Sequence, residues 1–527
     1  MRRVLLSALI FLTACDKTPS KSELKTLKIN ICNDPQTLDS RKVRYLGDIN
    51  ITKMLMEGLT RVNEQGVPEL ALAERIVISS DKKTYTVILR DAKWTDGSPV
   101  TSSDFAYAWK KVLAPQFLAP NAAQLFPIKN AEGVKNGLLP PSMLGIQVVD
   151  AKTFIITLAQ PTPYFLELLA HPSFFPVNAK VDQTCPEWMQ SPETYVGCGP
   201  FKLSTWQHDD LLVVEKNPSY WDAKTVKLDQ INMIMVDSTT EIHLFKAGEL
   251  HWAGSPFSYI SVDDITQLKN LQELYTKPSL GTAFLRTNTL QPPFNSPAMR
   301  KAFALAINRQ ELVEHLTQGT QLPATGLIPP SMGLQHIPYF TDGDTAQALS
   351  LFNSELARLN MSRDDLPHIT IKYVPSERTH QMMQAIQQQW QTAFGVEVTL
   401  MSVEPKVLFS DIVSHNYQLA VGSWIADVND PINFLEVFRS AKTSTNNTSW
   451  ENRDYIKALD DSYACLNPAE RTRFLATGEQ IIMDEMPIIP LYHMTLLYSK
   501  QKGVTDTVVS PMGLIDFKWA NLVREHE

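Results

Sequence analysis

Between His368 and Leu400 the spacing of apolar residues changes twice, and this constrains the fold more than any other stretch of the chain. Ile369, Ile371 and Tyr373 alternate with polar neighbours, Met382, Ile386, Trp390 and Phe394 then recur every fourth residue, and Val396, Val398 and Leu400 alternate again after Gly395. A period of two places side chains on one face of a strand, and a period near four on one face of a helix. Glycine just past the last helical repeat tolerates the left-handed backbone that ends many helices. The stretch predicts strand, helix, strand. Strands joined through a helix run parallel, so this region is expected to be an α/β lobe with a partly parallel sheet. The helix's Met and Trp positions are read as core.

Upstream the pattern differs. Tyr85, Val87 and Leu89 alternate within Thr84 to Leu89, and Phe154, Ile156 and Leu158 within Lys152 to Leu158. Pro115, Pro120, Pro127, Pro140 and Pro141 punctuate the stretch between them. This predicts a smaller, loop-rich domain built largely from antiparallel strands. Phe201 to Trp206 and Leu211 to Glu215 form a hairpin pattern, closed by Asn217-Pro218. At 527 residues the chain can bury two or more cores. A net charge of -8 with no Lys/Arg run argues against nucleic acid as a partner.

The start of the chain reads as a secretory signal. Arg2 and Arg3 precede an apolar run from Val4 to Leu12, followed by Leu12-Thr13-Ala14-Cys15. The run is far shorter than the roughly 20 residues a membrane-crossing helix needs. Small residues before a cysteine suit a lipoprotein signal peptidase, so residues 1–15 are expected to be removed or modified around Cys15, the lipidation site. Residues 16–27 are expected to be a flexible tether. Asp16 is similar to an inner-membrane retention signal. The expected location is the periplasm, lipid-anchored to the inner membrane in a Gram-negative cell, or the outer face of the membrane in a Gram-positive one.

Of the remaining cysteines, Cys32, Cys185, Cys198 and Cys465, the pair Cys185 and Cys198 is close enough in sequence to be a candidate disulfide. No CxxC spacing and no His-rich cluster is present, so no metal and no cofactor are expected. P-loop, GxGxxG, HExxH and GxSxG motifs are also missing, and no catalytic residues are expected.

Thr84-Tyr85-Thr86-Val87-Ile88-Leu89-Arg90-Asp91-Ala92-Lys93-Trp94-Thr95-Asp96-Gly97-Ser98-Pro99-Val100-Thr101, with Asp104-Phe105, resembles the signature of the peptide-binding family 5 of extracellular solute-binding proteins that serve ABC importers. Three further blocks agree: Met56-Glu57-Gly58-Leu59; Gly199-Pro200-Phe201-Lys202-Leu203 with Glu215-Lys216-Asn217-Pro218-Ser219-Tyr220-Trp221; and Pro292-Pro293-Phe294-Asn295 before Arg300-Lys301-Ala302. The resemblance runs from about Thr26 to the end. It implies an α/β fold, a two-lobed periplasmic-binding-protein-like clamp of class II type with an additional inserted domain. The expected parts are lobe I (28–57, 196–280 and 499–527), the inserted domain (58–195) and lobe II (281–498). The implied partners are short peptides and the ABC permease subunits, and a monomer is expected.

The resemblance also implies where a peptide would lie. Asp427, in the turn Gly422-Ser423-Trp424-Ile425-Ala426-Asp427-Val428-Asn429-Asp430-Pro431, would pair with the peptide's α-amino group, with Asp430 as a rival. A buried ammonium needs such an anion, because desolvating it alone costs several kcal/mol. Gly422, Ser423, Trp424 and Ile425 would offer backbone groups and a side-chain wall. Arg44, Tyr45 and Leu46 would contribute from the other lobe. Arg286, near Phe284, and Arg44 stand where acidic residues are common in the family's oligopeptide binders, and Ile412 and Val421 stand where arginines are often found. A ligand with an acidic group, such as a glutathione-like tripeptide or a dipeptide, is the alternative to a generic peptide. His380 is a further candidate for a carboxylate contact. A receptor or adhesin that transports nothing is the second class of function.

Overall fold

The structure is a computed structural model that describes residues 24–334, 338–441 and 445–523. Cys15 and the signal segment lie outside these residues. In chain order the elements that position the site are strand β1 (Thr26–Asn30) and helix α1 (Leu46–Leu55). Next come β2 (Ala73–Ile78), β3 (Thr84–Leu89), α2 (Ser102–Val112), β4 (Ile146–Val148), β5 (Thr153–Thr157) and α3 (Phe165–Leu168). Strands β6 (Phe201–Gln207), β7 (Leu211–Lys216), β8 (Gln230–Ile234), β9 (Trp252–Gly254) and β10 (Tyr275–Thr287) follow. The last group is β11 (Ile369–Tyr373), α4 (Glu377–Phe394), β12 (Val398–Ser402), α5 (Pro405–Val413), β13 (Leu419–Ile425) and β14 (Ile488–Lys500).

The period changes after His368 fold as their spacing predicts. β11 and β12 pair in parallel from Ile369 opposite Val398 to Tyr373 opposite Ser402, with α4 crossing between them. Ser376 caps α4 by accepting the Thr379 N–H, and Gly395 ends it at φ 68°, its N–H donated to the Gln391 carbonyl at 2.8 Å. Met382, Ile386, Trp390 and Phe394 are all buried, and the indole of Trp390 donates to the Phe303 carbonyl at 2.9 Å. Each such side chain contributes roughly 1.5–3 kcal/mol when buried.

Two large hydrophobic clusters result. One joins β1, α1, the sheet β6–β7–β8 and the antiparallel sheet β2–β3–β5–β4, through residues such as Leu27, Ile51, Val87, Trp109, Phe154 and Ile231. The other surrounds α4 and the mixed sheet ordered β9–β14–β10–β13–β11–β12. The fold is thus two-lobed, and β10 and β14, each 13 residues long and antiparallel neighbours, run from one cluster to the other. Their register breaks between Pro278 and Thr282 and again between Ala283 and Phe284. Below the first break Tyr498 is stacked between Tyr275 and Trp252, with ring centroids 5.3 and 4.5 Å away. Above it Phe284 and Leu285 enter the second core.

The sequence blocks that carried the resemblance are scaffold. Asp96 and Gly97, the latter at φ 87°, form a turn in which Asp96 accepts the Ser98 N–H at 2.8 Å. Thr101 and Asp104 form a capping box on α2. Buried Glu57 accepts the Tyr220 hydroxyl and the Trp221 indole N–H, each at 2.6 Å, and pairs with Arg61, which also reaches Asp516. One carboxylate therefore ties together blocks that are more than 160 positions apart.

The candidate disulfide is corrected. Cys185 and Cys198 are both free thiols. Cys185 caps the helix Ala179–Thr184, whereas Cys198 is buried in the first core with its Sγ 4.0 Å from the Glu57 carbonyl. Short separation along the chain does not bring the two side chains together. Among the described residues no helix is long and apolar enough to cross a membrane.

Candidate functional site

Strand β13 is paired very unevenly on its two sides. All seven of its residues face β10, from Leu419 opposite Thr287 to Ile425 opposite Gly281. On the other side β11 meets only Leu419 and Ala420, and then ends at Tyr373. The edge of residues 421–425 is therefore unpaired among the described residues, with Ser423 and Ile425 exposed and Gly422 and Trp424 half-buried. An unpaired strand edge is a template for another extended chain.

This edge leads into the turn that carries Asp427. Asn433 organises the turn by accepting both the Trp424 indole N–H at 3.0 Å and the Asp427 backbone N–H at 3.3 Å. The Ala426 N–H is taken by the Leu280 carbonyl at 2.8 Å. Glu167, on α3 of the antiparallel region, accepts the Asn429 N–H at 2.7 Å and so ties the turn to the other lobe's side of the molecule. Burial pushes the Glu167 carboxyl up to about 7, the Asn429 N–H opposes that, and nearby Asp430 adds to it.

Two carboxylates compete for a cation in this turn, and the structure separates them. Asp430 is buried and held by Arg471 through two contacts of 2.9 Å, and it also accepts the Ile432 N–H. Asp427 has no cationic partner among the described residues. Asp427 is exposed to water by area, and the surrounding protein raises its pKa by desolvation. A hydrogen bond from Gln124 pulls the other way. Gln124, Glu167, Asn433 and Arg471 carried no signal in the local sequence, because each meets the turn only through the tertiary fold.

Phe284 and Arg286 lie on β10 opposite Gly422 and Ala420, so they share the face that carries Trp424. A Cβ at Gly422 would stand 3.1 Å from the Phe284 ring and 3.6 Å from Arg286 Nη1. Gly422 thus leaves room for the arginine over the strand. Arg44 and Tyr45 are exposed immediately before α1, Tyr45 being its N-cap, while Leu46 is half-buried against Gly513. No hydrogen bond or ion pair joins these three to β13 among the described residues. His380 is not gathered into the turn, since its Nδ1 lies 2.6 Å from the Tyr373 hydroxyl at the end of β11.

Residues 67–446 match the model of bacterial extracellular solute-binding proteins, family 5. The chain is 35% identical to the oligopeptide-binding protein OppA of Bacillus subtilis, over 94% of this chain and 92% of that one. It belongs to family 5. Among solved structures, the unliganded open form of the periplasmic murein tripeptide-binding protein MppA is similar to this family 5 chain at 27% identity, with a TM-score of 0.83 over 96% of this chain and 98% of that one. The Haemophilus influenzae OppA complex with the peptide RPPGFSPFR is similar at 25% identity, with a TM-score of 0.77 over 95% and 99%. Family 5 is a family of solute-binding proteins rather than of enzymes.

Proposed function

We infer that this family 5 protein is the extracytoplasmic substrate-binding component of an ABC importer for oligopeptides. It captures the peptide between two lobes and delivers it to the membrane permease. The observation that carries this reading is a strand edge that is open, among the described residues, and leads to a carboxylate to which none of them brings a cation. A peptide laid along residues 421–425 pairs its main chain with β13 whatever its side chains, and its α-ammonium meets Asp427. Arg44, Tyr45 and Leu46 approach from the other lobe. Trp424 walls a side-chain pocket.

The lobes are assigned to 28–57, 196–280 and 499–527 for lobe I, 58–195 for the inserted domain and 281–498 for lobe II. What supports the division is the register break at the crossing of β10 and β14, next to residue 281. Cys15 tethers the protein to a membrane by its lipid, and the protein works as a monomer.

The test is calorimetry of a tripeptide against purified wild type and Asp427→Ala. Removing the partner of a sheltered charge costs about 2–5 kcal/mol. A loss below about 1 kcal/mol, or undiminished binding of the N-acetylated tripeptide to wild type, places the amino group elsewhere.

A further inference from the structure

Arg286 stands on the face of β10 that adjoins the open edge, and among the described residues its charge has no counter-ion. No carboxylate pairs with it among the described residues, and its Nε is buried without a hydrogen-bond partner. Its surroundings are otherwise the Phe284 ring, 5.7 Å from its Cζ, the bare backbone of Gly422, and Tyr417. Burial depresses its pKa, the direction expected of a desolvated cation with nothing to neutralise it. Other sheltered arginines of this protein have partners, Arg300 the Glu485 and Phe294 carbonyls and three others carboxylates. Arg41 is held by Asp39 and Asp182, Arg309 by Asp342, and Arg471 by Asp430.

We propose that Arg286 is a specificity-determining residue that receives an anionic group of the bound peptide, either its terminal carboxylate or an acidic side chain. This rests on the reading of Asp427 as the amino-end partner. The guanidinium lies over Gly422, and the strand runs on to Ile425 before the bend that carries Asp427. In a short guest the anion would be the terminal carboxylate, and in a longer one a Glu or Asp side chain. Gly422 is part of the device, since a Cβ there would crowd the Phe284 ring at 3.1 Å and lie in contact with the Arg286 guanidinium.

The experiment measures affinity by calorimetry in wild type, Arg286→Gln and Arg286→Lys. The ligands are Ala-Ala-Ala, its C-terminal amide, Ala-Ala-Glu-Ala, Ala-Ala-Gln-Ala and N-acetyl-Ala-Ala-Ala. Wild type is expected to prefer the acid over the amide, or Glu over Gln, by at least tenfold. Arg286→Gln is expected to bring that ratio close to one, and Arg286→Lys to keep part of it. Loss of the acid-to-amide ratio assigns the terminal carboxylate, and loss of the Glu-to-Gln ratio assigns the side chain. Wild-type ratios near one, or ratios unchanged in a folded Arg286→Gln protein, overturn the proposal. Indifference to N-acetylation overturns the amino-end reading instead. Should Arg286→Gln fail to fold, the wild-type ratios together with Arg286→Lys still decide.

Discussion

Asp427 and Asp430 lie three positions apart in one turn, yet Arg471 takes only the second. The difference makes a pH prediction. Desolvation raises the pKa of Asp427 in the free protein, whereas a bound ammonium would lower it again. Binding then favours the ionised form, so affinity is full above the raised pKa and is lost as pH falls through it. In Asp427→Asn the acid-side loss is expected to vanish along with most of the affinity, and calorimetry between pH 4 and pH 7 checks it. Both aspartates were legible in the sequence, Asp427 put first by the resemblance and Asp430 as its rival, but the physical reason for that order was not. The residue that disqualifies Asp430 is 41 positions away, and nothing near the turn announces it.

At the scale of elements, the strand-helix-strand unit was readable because its signals are local: alternation, a four-residue repeat and a terminal glycine. The open edge of β13 was not, because it depends on where β11 stops, and strand pairing is a long-range property. The same holds for the contact between α3 and the turn. Glu167 has a pKa raised by burial to about 7, above that of an unfolded glutamate. The folded protein therefore binds more protons than the unfolded chain between roughly pH 4.5 and 7, and this carboxyl subtracts stability as pH rises through that window. Glu167→Gln retains an oxygen for the Asn429 N–H and removes the charge. Its stability relative to wild type is expected to be near zero at pH 4.5 and to grow to about 1–3 kcal/mol at pH 8. Denaturant titrations at the two pH values check this, and an offset that does not depend on pH refutes it.

For the whole molecule, two cores bridged by two strands mean that a guest touching both lobes must stabilise both. With free peptide at about 100 times its Kd, binding adds about 2.7 kcal/mol. Scanning calorimetry is expected to move all unfolding transitions upward together. If only one moves, the peptide contacts a single lobe. The two-lobed plan came from the resemblance rather than from periodicity, because residues as far apart as Leu27 and Phe517 share one core and no local pattern records that.

The crossing by β10 and β14 carries one more consequence. Two strands hydrogen-bonded side by side form a ribbon, which flexes across its flat but resists sliding and splaying, and the stacked rings of Tyr275, Tyr498 and Trp252 stiffen it on one side of the break. Under the proposed capture between lobes, the halves would swing like the covers of a book on a common spine. Each return would bring Arg44, Tyr45 and Leu46 opposite the same strand edge and the same carboxylate, so alignment is built into the binding and need not be found anew with every guest.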